Sequence, residues 1–77
     1  METGIITFDG RFPDDAHDVI IGYLNASVEH VEELAPGGVL EVTFKRGYDS
    51  NDAYIVLYDM AFDLQQAGLL VDDYYVK

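Results

Sequence analysis

Apolar positions along the chain change period several times, and each change predicts an element. Gly4 to Phe8 (GIITF) is a short β-prone run closed by the turn pair Asp9-Gly10. From Asp14 to about Leu34 the spacing becomes helical. Ala16, Val19, Ile20, Tyr23, Leu24, Val28, Val31 and Leu34 recur mostly at three and four, and Asp15, Asp18, Gly22, Asn25, Glu29 and Glu32 form the opposite line. This predicts one long amphipathic helix, opened by Pro13 and stopped by Pro36-Gly37-Gly38. Val39 to Phe44 (VLEVTF) partly alternates and reads as a strand ending at Lys45-Arg46-Gly47. Leu69 to Val76 (LLVDDYYV), after a helix-capping Gly68, reads as the last strand.

The stretch Ala53 to Ala67 supports two readings. Asp49-Ser50-Asn51-Asp52 supplies N-cap residues, and Ala53, Val56, Leu57, Met60, Ala61, Leu64 and Ala67 keep a helical period with no breaker. Ala53 to Tyr58 (AYIVLY) is also β-prone by propensity. The first gives βαβαβ; the second gives βαββαβ, a ferredoxin-like sandwich with a short second helix. The unbroken period favours the helix. Either way the chain is a small α+β two-layer sandwich, with two helices on one face of a three- or four-stranded sheet. Residues 1–77 are read as a single acidic domain, because a second core would not fit in this length. Pro13 opening the first helix and Pro36-Gly37-Gly38 leading into a strand give a layout that resembles the small sulfur-carrier proteins. Their Cys-Pro pair is replaced here by Phe12-Pro13, so the resemblance is one of topology and carries no activity.

Charge changes the picture most. Fifteen Asp and Glu face four Lys and Arg, a formal net charge of −11 at neutral pH. Such a field opposes direct binding to nucleic acid or anionic membrane and favours a basic protein partner. It also suits a chain adapted to high salt. With no Cys, the chain has no disulfide, thiolate metal site or thiol nucleophile. The first residues lack the pattern of a secretory signal, and no apolar run reaches the length of a membrane span, so a cytoplasmic location is expected.

Residues that could carry chemistry are few. His17 and His30 stand thirteen apart on the predicted helix, roughly 20 Å along its axis, too far to share a metal. Asp49, Asn51 and Asp52 start like a calcium loop but lack the central Gly, and Met60 stands where the loop needs Glu, so capping explains them better. Ser27 and Ser50 lie outside any strand-to-helix elbow. No cofactor or metal is expected, and the chain reads as non-enzymatic.

Two surface features remain. Asp14, Asp15, Asp18, Glu29, Glu32 and Glu33 would present a row of negative charge on the predicted helix, able to imitate a nucleic-acid backbone in a basic groove. Tyr54, Ile55, Tyr58 and Phe62, interleaved with Asp59 and Asp63, would stand outside the buried stripe, with the rings as interface anchors. The expectation is an acidic protein–protein interaction domain that engages a basic, nucleic-acid-binding protein, as an inhibitor or DNA mimic. Small phage-encoded inhibitors and immunity proteins have this simple make-up. The competing expectation is a salt-adapted housekeeping or regulatory domain that works through a homodimer or its sheet face.

Overall fold

The structure is a computed structural model that describes residues 1–34 and 36–77. Six elements follow in the order β1 (Thr3–Asp9), α1 (Asp14–Leu24), β2 (Val28–Leu34), β3 (Val39–Phe44), α2 (Ser50–Gln66) and β4 (Leu70–Val76). The strands form one sheet in the order β2-β3-β1-β4, every neighbouring pair antiparallel. Strands β1 and β2 therefore run parallel with β3 between them, and β3 and β4 run parallel with β1 between them. Each helix bridges one such split pair, which is the ferredoxin-like arrangement. Both helices pack on the same face, giving two layers.

The α+β sandwich agrees with the sequence expectation, but its fourth strand lies elsewhere. Ala53–Gln66 is helical throughout, as the unbroken period indicates. The strand comes from Val28–Leu34, which the helical spacing had joined to the first helix. Helix α1 stops at Leu24, where the Asn25 N–H donates to the Ile21 carbonyl at 3.1 Å and those of Ala26 and Ser27 donate to Tyr23. The false period has a physical cause. Val28 pairs with Phe44 and His30 with Thr43, so Glu29 bulges out of the ladder without a partner. That extra residue places Val28 and Val31, three apart, on the same sheet face, a spacing that imitates a helix. His17 and His30 consequently lie on different elements, α1 and β2.

Helix α2 starts with a capping box. The Asp52 N–H donates to Asp49 Oδ1 at 2.8 Å, and the Asp49 N–H donates to Asp52 Oδ2 at 3.4 Å. Its inner face buries Ala53, Leu57, Met60, Ala61 and Leu64 against Ile6, Phe8, Leu40, Val42 and Phe44 of the sheet. Contact is closest at Gly4, where a Cβ would sit 3.0 Å and 3.1 Å from the Leu57 methyls and 3.2 Å from the Phe44 ring. Helix α1 contributes a narrower stripe, with Ala16 buried and Val19, Ile20 and Tyr23 half-buried.

Among the described residues, none forms a covering layer on the opposite sheet face. Ile5 is nevertheless only 7% exposed there, flanked in register by Glu41 and Tyr75. Glu41 also stands opposite Glu32, a like-charge pair, and Lys77 Nζ lies 2.9 Å from Glu41 Oε2. Both outer strands are bulged at an acid: Glu29 in β2, and Asp72 in β4 between Val71, paired with Phe8, and Asp73, paired with Thr7. On β4 the outward-facing Tyr74 N–H donates to its neighbour's Asp73 Oδ1 at 2.8 Å.

Leu57→Ala should lower unfolding stability by about 2–5 kcal/mol, because it empties the centre of the α2 contact. Gly4→Ala, which adds a single carbon, should cost about 1–3 kcal/mol by overpacking. Urea denaturation measures both, and an unchanged midpoint for Gly4→Ala would show that the Leu57 side chain yields without penalty.

Candidate partner-binding surface

The outer surface of α2 is divided lengthwise. Tyr54, Tyr58 and Phe62 recur every fourth residue and form one row, which lies beside β4. They are 48%, 52% and 54% exposed, unusual for three large rings on so small a protein. Tyr74 of β4 meets this row, its ring centroid 6.2 Å from that of Tyr54 and 6.1 Å from that of Tyr58. Between them Tyr58, Ala61, Phe62, Gln65 and Tyr74 line a notch of about 250 Å³. Burial raises the Tyr74 phenol pKa, and the neighbouring phenol groups of Tyr54 and Tyr58 and the Asp73 carboxylate raise it further.

Asp59 and Asp63, one turn apart, continue a row that begins at the exposed Ile55, and Asp63 faces α1. There the two helices enclose a groove of about 540 Å³ lined by Asp18, Val19, Gly22, Tyr23, Ala26, Ser27 and Asp63. The Tyr23 hydroxyl donates to Asp63 Oδ2 at 2.7 Å, tying the helices together. Burial raises the Tyr23 phenol pKa, and the hydrogen bond to Asp63 and the charges of Asp63 and Asp59 raise it further. No Lys or Arg lines the groove. Gly22 sits in the interior of α1 with open space where a Cβ would project. Packing does not require a glycine there, and it weakens the helix.

The predicted surface residues therefore divide into groups. Asp18, Asp59 and Asp63 come together around the groove, and Asp14 and Asp15 are exposed in the first turn of α1. Tyr54, Tyr58 and Phe62 form the adjoining aromatic row. Glu29, Glu32 and Glu33 do not continue the α1 row, because they belong to β2, where the bulge and the early end of α1 place them. Glu32 lies on the uncovered sheet face with His30, whose Nε2 is 3.5 Å from Glu32 Oε1. Sequence reasoning assigned Tyr23 to the buried stripe, placed Gly22 on the opposite line as a break in the acidic row, and gave Gln65 no role. An isolated Gly within a helical period was the one available signal. Among the described residues, no group of three or more His, Asp or Glu is placed to hold a metal ion, and no helix is long and apolar enough to cross a membrane.

Comparison with protein-family models, curated proteins and solved structures finds no match to this chain.

Two outcomes test this geometry. A raised Tyr23 pKa means that the folded state holds its proton above the pH at which the unfolded tyrosine, near 10, releases it. Stability linked to Tyr23 is full below about pH 10 and declines as pH rises further, so Tyr23→Phe should flatten the alkaline loss in urea midpoints. Gly22→Ala should stabilise the fold by about 0.5–1 kcal/mol, read from thermal melts.

Proposed function

We propose that this is a non-enzymatic acidic binding protein that engages a basic surface on another protein and blocks it. The observation that carries the reading is the pairing, on one helix, of an acidic flank with an exposed aromatic flank. The acids supply long-range attraction, fast at low salt and screened beyond about 8–10 Å at physiological ionic strength. The rings supply the short-range contact that area and desolvation make tight. Aromatic anchors beside a charged rim are the composition of a protein interface. A nucleic-acid-binding protein is the natural basic partner, with the groove acids Asp18, Asp59 and Asp63 taking the place of phosphates. The absence of Lys and Arg from the groove lining supports this direction of charge.

A second reading has its own support: every element carries at least one acid, including Asp9 on β1, Glu41 on β3 and Asp72 on β4. Charge spread this evenly suits solvation in a salt-rich cell, with the uncovered sheet face or a homodimer contact as the working surface.

Capture of basic proteins from lysate at low salt separates the two, using wild type and two amide variants. Asp18→Asn/Asp59→Asn/Asp63→Asn should abolish salt-sensitive capture of a nucleic-acid-binding protein, and Glu29→Gln/Glu32→Gln/Glu33→Gln should retain it. Equal loss in both variants would assign the effect to net charge alone and sink the helix-face reading. Thermal melts give the complementary result: a specific binder stays folded in dilute buffer, and a salt-adapted domain needs molar salt.

A further inference from the structure

The notch between α2 and β4 has a chemistry that narrows the partner, on the basis of the binding reading above. It is lined by the three aromatic residues Tyr58, Phe62 and Tyr74, with Ala61 and Gln65. Tyr54 extends the aromatic surface along the helix. Among the described residues, no cationic side chain lines it, and Asp73 adjoins Tyr74 on β4. The whole lies in the field of a chain with net charge −11.

A second copy is a poor occupant. Two copies that each carry a net charge of −11 repel one another, which works against self-association through this face. An apolar partner would cover the rings but gain nothing from the field. A cation gains from both, because aromatic faces attract positive charge. Guanidinium fits better than ammonium. It is planar, stacks on rings, is weakly hydrated and offers several donors, one of which the Gln65 side-chain carbonyl can accept. A volume of about 250 Å³ also leaves room for the methylene stem along Ala61 and Phe62.

We propose that the notch formed by Tyr58, Phe62, Gln65 and Tyr74 is a receptor for an arginine side chain of the basic partner, so that the protein selects arginine-rich over lysine-rich segments. The acidic groove attracts either kind, and the aromatic notch discriminates between them.

Calorimetric titration with oligo-arginine and oligo-lysine peptides of equal length, at low and high salt, tests this. Wild type should bind both in a salt-dependent way and oligo-arginine several-fold more tightly. Tyr58→Leu/Phe62→Leu places good helix formers at exposed positions, so the fold, checked by circular dichroism, should persist. Oligo-arginine affinity should then fall about tenfold, to the level of oligo-lysine. Tyr58→Phe keeps a ring and should retain the preference within about twofold. Equal, salt-dependent binding of the two peptides by wild type, or an arginine preference that survives the double leucine variant, would overturn the notch assignment while leaving the acidic binding surface standing. No binding of either peptide at low salt would overturn both.

Discussion

The close approach of α2 to the sheet at Gly4 is the constraint on which the other features rest. With no side chain at that position, the Leu57 methyls settle against the backbone of β1 and the ring of Phe44. This brings the inner face of α2 down over the sheet next to the outer strand β4. Three consequences follow. The helix surface turned away from the core is held in a fixed orientation, the Tyr54-Tyr58-Phe62 row comes level with Tyr74, and Asp63 comes within hydrogen-bond reach of Tyr23. The surface proposed for binding is therefore set by the rigid part of the molecule and does not depend on a loop.

The sequence was legible where local signal and tertiary outcome agreed. Helix α2 showed its cap residues, an unbroken period and a closing glycine, and all three are realised. Strand β3 has the residue limits that its alternation indicated, and β1 and β4 differ by a residue or two at their ends. Strand β2 was hidden because a single unpaired residue, Glu29, converts a two-residue repeat into a three-residue one. The capping turn at Asn25 to Ser27 has no Gly or Pro to announce it. Pattern reading assumes an uninterrupted ladder, and the bulge is a tertiary event.

The candidate surface was legible in the same uneven way. The aromatic and acidic residues of α2 were identifiable because they lie on a helix whose period could be counted. The row from Asp14 to Glu33 was assembled on a helix that ends at Leu24, so its second half moved to another layer. The Tyr23–Asp63 bridge joins residues forty positions apart, and no local pattern marks a contact set by the docking of two helices.

The unpaired acids at the two margins of the sheet, together with the outward Tyr74 N–H that Asp73 Oδ1 occupies, also bear on how the protein behaves in a crowd. A four-stranded sheet with free outer strands is a template for endless lateral growth into fibres. Here any strand arriving at either margin meets a carboxylate where the ladder should continue, and on β4 it finds a donor already occupied. The sheet is in effect a finished length of fabric, hemmed on both sides. A molecule so finished stays as separate particles at concentrations where an open-edged sheet would stack on its neighbours.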